Sequence, residues 1–141
     1  MFSKEDSRKL RQDFWISFGK SFPRKWILYK TKVKGLSFKF HFDLNMAMVS
    51  IDVDSDFEQR IKVWDKLVAL KSIVLDEYLP EAIYEDFFYL ENQKEISRIY
   101  VKLENVSIHN KNSWRETMEF LNSSMVKIES FFEDYKEVID S

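Results

Sequence analysis

Apolar and polar residues alternate along this chain with two different periods, and the order of those periods predicts its architecture. Leu10, Phe14, Phe18 and Phe22 recur every four residues with Trp15 beside them. That spacing is the apolar stripe of a first helix, which Ser3 can cap with Asp6 three residues on and which Gly19 or Pro23 ends. Trp26-Ile27-Leu28-Tyr29 follows, and then the period changes to two. Leu36, Phe38, Phe40 and Phe42 alternate with Ser37, Lys39, His41 and Asp43, and Val49, Ile51 and Val53 alternate with Met48, Ser50 and Asp52. With Asp43-Leu44-Asn45-Met46 between them as turn material, these segments predict a β-hairpin with one buried face.

A second helix is predicted from Ser55, with Glu58 completing a capping box, to Pro80. Phe57, Ile61, Trp64 and Val68 form one stripe on it and Val63, Leu67, Leu70 and Val74 another, the pattern of a mostly buried helix. Ala82 to Leu90 and Glu95 to Leu103 flank Asn92-Gln93 as a second hairpin. Ser113, with Glu116 as its capping partner, opens a last helix over about 113–139. On it Trp114, Met118, Leu121, Met125, Ile128, Phe132, Tyr135 and Ile139 step by 4, 3, 4, 3, 4, 3 and 4, an unbroken heptad seam. The predicted order is α-ββ-α-ββ-α. It fits an α+β fold, a four-stranded antiparallel sheet with helices packed mainly on one face.

Composition sharpens this picture. The 141 residues include 13 Phe, 4 Trp and 6 Tyr but only two Gly and two Pro, so linkers are missing and residues 1–141 read as a single domain with an aromatic-rich core. The absence of cysteine excludes a disulfide framework and a thiolate metal site. The N-terminus is polar within three residues, and no run approaches the roughly 18 apolar residues of a membrane span. These features together give the expectation of a soluble, cytoplasmic chain without membrane partners.

Charge changes the picture more. The formal net charge of −2 conceals +8 in residues 1–41 and −10 in residues 42–141. From Lys20 to Lys39 there are seven basic residues and no acidic one. With Trp26 and Tyr29 among them, Arg24, Lys25, Lys30, Lys32 and Lys34 are candidate contacts to DNA or RNA through phosphates and stacking. Alternatively, a lysine-rich segment guards a sheet edge or faces the acidic remainder of the chain.

Other chemistry is sparse. Two glycines cannot build a phosphate-binding loop, and two histidines cannot build a multi-histidine metal site, so no cofactor and no metal are expected. Asp52-Val53-Asp54-Ser55-Asp56 begins like a calcium loop, but Phe57 and Val63 occupy the positions that require Gly and Glu. His41 and Asp43 share a strand face and could form an acid–base pair. His109-Asn110-Lys111 leads into a helix N-terminus, where free N–H groups attract anions. The heptad seam, from Trp114 to Tyr135, can pack within the chain or meet the same helix of a second subunit.

Leu10-Arg11-Gln12-Asp13-Phe14-Trp15-Ile16-Ser17-Phe18-Gly19, Trp26 with Tyr29-Lys30-Thr31-Lys32, and Phe38 with Phe40 resemble a bacterial family known as domain of unknown function 4268. The resemblance spans nearly the whole chain. It implies a domain found alone or at the C-terminal end of longer proteins with a nuclease-like part, and so an association with nucleic-acid processing. It supplies no catalytic residues. Three functional expectations follow: a non-enzymatic interaction module that forms a homodimer through its last helix, a nucleic-acid-binding accessory domain, and a hydrolase built on His41 and Asp43 or on His109.

Overall fold

The two alternating segments pair as their periodicity requires. In the computed structural model, which describes residues 2–141 and leaves Met1 outside, β1 (Leu36–Phe42) and β2 (Met46–Val53) form an antiparallel hairpin. The Asp43 carboxylate shapes its turn, with Oδ1 accepting from the N–H groups of Asn45 (2.8 Å) and Met46 (2.9 Å). The second hairpin is β3 (Ile83–Tyr89) and β4 (Glu95–Glu104). It joins the first through β4, giving the strand order β1-β2-β4-β3 with every pair antiparallel.

Three rows cross the sheet on one face: Phe38–Ile51–Ile99, Phe40–Val49–Val101 and Phe42–Ala47–Leu103. These rows and the helices make the core. α1 (Lys4–Ser21) delivers Phe14, whose ring lies 4.6 Å from Phe42 and 5.4 Å from Trp114. Its capping box of Ser3 and Asp6 is present. α2 (Phe57–Ala69) continues through α3 (Lys71–Ile73) into a π-helical turn (Val74–Tyr78) that ends before Pro80. A 3₁₀ turn (Lys111–Ser113) then leads into α4 (Trp114–Ile139). The fold is α+β in the expected order.

Three expectations need correction. The seam of α4 is internal: Leu121, Met125, Ile128, Phe132 and Ile139 are buried in the chain's own core, and Trp114, Met118 and Tyr135 pack against it. The adjacent Thr117, Ser124 and Phe131 are buried as well. A 26-residue helix is about 39 Å long, enough to cross the sheet and cover its apolar face, so the chain's own sheet and helices account for the buried part of the seam. α2 is less buried than its two stripes suggest. Val63, Trp64 and Leu67 face the core, whereas Phe57, Ile61 and Val68 are exposed. The caps differ too. Asp56 rather than Ser55 caps α2, accepting from the Gln59 N–H, and Ser113 makes no side-chain cap for α4. Its hydroxyl binds the Ser107 and Asn110 carbonyls and closes the preceding loop.

The opposite face of the sheet holds a polar network that alternation alone reads as solvent-facing. Asp52 has no exposed surface. Arg98, directly across from it on β4, donates from Nε (2.7 Å) and Nη2 (2.8 Å) to its two oxygens, and Lys39 Nζ lies 3.3 Å away. Phe88 covers the guanidinium at 4.3 Å. Beside them the Tyr100 hydroxyl donates to Glu85. Burial, then that carboxylate, push its pKa up to about 12.

Candidate nucleic-acid interface

Between α1 and β1 the chain runs as an irregular segment along the outer edge of β1, and its inward groups explain its course. Phe38 N–H donates to the Leu28 carbonyl (3.1 Å), tying the segment to the edge strand. Thr31 is buried and its hydroxyl donates to the Leu36 carbonyl (2.8 Å). Glu129 of α4, only 4 % exposed, accepts from the Ile27 N–H (2.6 Å) and from Arg24 Nη2 (2.8 Å). Leu28 and Lys32 have positive φ (47° and 65°), a left-handed conformation that costs about 1–3 kcal/mol each and is held by these anchors. Gly35, at φ 81°, enters β1 where an added Cβ would stand 2.5 Å from Ser55 Cβ, so only glycine fits.

With those groups turned inward, the remaining side chains face solvent. Lys25, Tyr29, Lys30, Lys32 and Lys34 are exposed, Tyr29 by 73 %. Three shallow depressions follow the edge. The first, about 380 Å³, lies among Trp15, Phe22, Arg24, Lys25, Trp26 and Phe40. The second, about 280 Å³, shares Trp15, Leu28 and Phe40 with it and adds Tyr29 and Lys39. The third, about 540 Å³, shares Tyr29 and Lys39 with the second and adds Lys32, Lys34 and Asp54. Asp54 is the one acid lining the series, and Lys94 neutralises it at 2.8 Å. The depressions therefore form a continuous groove of aromatic faces and cations.

The candidate residues divide clearly. Arg24 is turned to Glu129 and stacks over Trp26 at 4.9 Å, so it braces the groove. Trp26 is itself fixed between Phe18 and Phe40. Lys34 makes only an exposed pair with Asp56 at 3.5 Å, worth little in water. Lys25 and Lys32 have no carboxylate within 4 Å among the described residues. Lys30 and Lys32 also border a cavity of about 560 Å³ on the α4 side, where Glu133, Glu137 and Asp140 stand. The basic stretch is thus open along β1 and faces acids along α4. Trp15, Phe22, Lys39 and Phe40 line the groove without having been singled out as contacts. Their signal was the Trp15–Phe22 stripe and the outward Lys39, which only the edge position of β1 brings together.

His109, Asn110 and Lys111 are not part of this surface. The His109 ring lies 2.7 Å from the Ser7 hydroxyl and stacks on Phe2. Ser7 and Gly19 are twelve residues apart on α1, about 18 Å along the helix. Asn110 caps the 3₁₀ turn, and Lys111 lies over Trp114. His41 and Asp43 do meet, at 2.9 Å. Burial alone would raise the Asp43 pKa, but the Asn45 N–H, His41 and the Met46 N–H outweigh it and hold it below the usual value. That is the chemistry of a hairpin turn, and neither histidine lines the depressions above.

The family model described as "Domain of unknown function (DUF4268)" matches residues 10–136. The chain belongs to the DUF4268 family. The matched span covers the α1 stripe, the pinned basic segment, both hairpins and all but the last residues of α4. No curated protein and no solved structure matches this DUF4268 chain significantly. Among its described residues no helix is long and apolar enough to cross a membrane, and no group of three or more His, Asp or Glu is placed to hold a metal ion.

Proposed function

We propose that this chain is a non-enzymatic binding module for single-stranded nucleic acid, with the groove along β1 as its interface. One observation supports the reading above all: an unbroken series of depressions in which aromatic faces alternate with lysines and the only acid is already paired. A single strand offers both matching features, stacked bases and a phosphate at each step. Tyr29 is the exposed stacking face, and Trp15 and Trp26 form the half-buried floor. Lys25, Lys32 and Lys34 supply phosphate contacts. The acids at the end of α4 oppose a second strand on that side, which favours one strand over a duplex.

Fluorescence anisotropy of the full chain with a labelled single-stranded oligonucleotide tests this. Binding at low salt is expected to weaken as salt rises, by about 0.7 in log–log slope for each phosphate contacted. It should be lost in the triple variant Lys25→Glu, Lys32→Glu, Lys34→Glu and reduced in Tyr29→Ala. No binding at low salt, or binding that survives the triple variant, overturns the reading.

A further inference from the structure

The other margin of the sheet carries a different surface. Of the ten exposed large hydrophobic residues among those described, five lie on α2 and β3. Phe57 (68 % exposed), Phe87 (62 %) and Tyr89 (61 %) contribute most, with Ile61 beside Phe57 one helical turn on. Arg60 joins them into one patch. It sits on α2 between Phe57 and Ile61, its guanidinium lies 5.8 Å from the Phe87 ring, and it pairs with Glu95 at 3.1 Å. Glu95 in turn accepts from the Tyr89 hydroxyl at 3.1 Å.

We propose that this patch is the contact face of a homodimer, on which a second copy of the chain docks about a two-fold axis through the same residues. Area argues for it. The three aromatics expose roughly 300–450 Å², the size of the largest apolar patches on monomers, which are often functional. Doubled across a two-fold, that core supplies half or more of the ~1,200 Å² at which stable interfaces begin. The flanking polar rim supplies the remainder.

Charge argues for the same occupant. Arg60 is neutralised by Glu95 and mostly buried, so the centre of the patch carries no free charge. Along the exposed side of α2 the signs alternate, Glu58, Lys62, Asp65, Lys66. A surface of this kind does not repel its own copy, as the basic N-terminal third would, and it does not call for a strongly charged partner. The register shift between Glu85 and Phe88 breaks the pairing of β3 with β4, and an irregularity of this kind bends an edge strand and makes its free side a poor template for a further strand. The contact is therefore made by side chains of α2 and β3, not by extending the sheet.

Analytical ultracentrifugation of the full chain over rising concentration tests the proposal. Twice the chain mass is expected, with Phe57→Glu/Phe87→Glu returning it to the monomer mass while its circular dichroism stays unchanged. Phe57→Lys alone, at the exposed start of α2, covers the case in which the double variant fails to fold, and should weaken the dimer at least tenfold. The groove variant Lys25→Glu/Lys32→Glu/Lys34→Glu should keep the dimer. A chain that stays monomeric at the highest attainable concentration overturns the proposal. So does a dimer that survives Phe57→Lys and the double substitution, or one that the groove variant abolishes.

Discussion

The two margins of the sheet solve the problem of an exposed edge in opposite ways. At β1 a segment of the chain lies along the strand and is fastened by Glu129, Thr31, Leu28 and Gly35, while its lysines face outward. At β3 no further strand pairs with the free edge among the described residues. The strand carries no lysine, is interrupted by a register shift and presents Phe87 and Tyr89 to solvent. Covered edges with basic outer faces suit a polymeric anion, and uncovered apolar edges suit another folded surface. On the two proposals made above, the difference would divide two tasks between opposite sides of one small sheet.

Breaking the fastening at β1 should have the largest effect. Gly35→Ala combines a left-handed backbone with a clash against Ser55, and should cost about 2–4 kcal/mol of stability in urea unfolding. Glu129→Ala should come next. Arg24 is half exposed and can recover water, but the Ile27 N–H loses its partner, so about 1–3 kcal/mol is expected, with a shift in tryptophan emission as Trp26 loosens. Changes at the β3 margin should barely register by the same assay. Phe57→Ser, measured at dilute concentration where the monomer prevails, should stay within about 0.5 kcal/mol of the parent.

The smallest expected effect separates the two hairpin turns by pH. Asp43 shapes the β1–β2 turn, whereas the amide of Asn92 serves the β3–β4 turn by accepting from the Lys94 N–H. The Asp43 pKa is lowered from 3.8, so its contribution is complete above the unfolded value and fades as pH falls through the folded one. In thermal melts the gap between the parent and Asp43→Asn should hold near neutrality and narrow below about pH 4. The gap for Asn92→Ala should not change with pH.

Much of the fold was legible because its signals are local. The Phe38–Phe40–Phe42 alternation located β1, and the steps from Trp114 to Ile139 located α4 within a residue. The assignments that failed depended on distant partners. A heptad seam is the same pattern whether it meets a sheet or another helix, so α4 could not reveal that its partner was its own sheet. Apolar positions on α2 could not reveal which ones β3 would cover. Trp64 is buried because its indole N–H reaches Asp86, 22 residues on, while Phe57 in the same stripe is left out. Glu129 looked like one more polar helix position, and its partners Ile27 and Arg24 lie 102 and 105 residues away. The groove was partly legible. The run without acids from Lys20 to Lys39 marked the segment, but its aromatic floor needed the fold to bring Trp15 and Phe40 together.

The ion pair between Asp52 and Arg98 has a consequence for how the chain folds. The two residues come from different hairpins, 46 residues apart, and stand directly opposite each other where β2 meets β4. Sliding β4 by one residue would turn every side chain of the strand to the wrong face and drive Arg98 toward the apolar core. Sliding it by two would set Asp52 opposite Ile96 or Tyr100 and take away its bidentate partner, leaving the buried carboxylate with the part-exposed Lys39 alone. Hydrophobic contacts alone tolerate a two-residue slip, because Val49, Ile51, Ile99 and Val101 are nearly interchangeable. The pair therefore works as an alignment check, rejecting misjoined hairpins that an all-apolar sheet would accept.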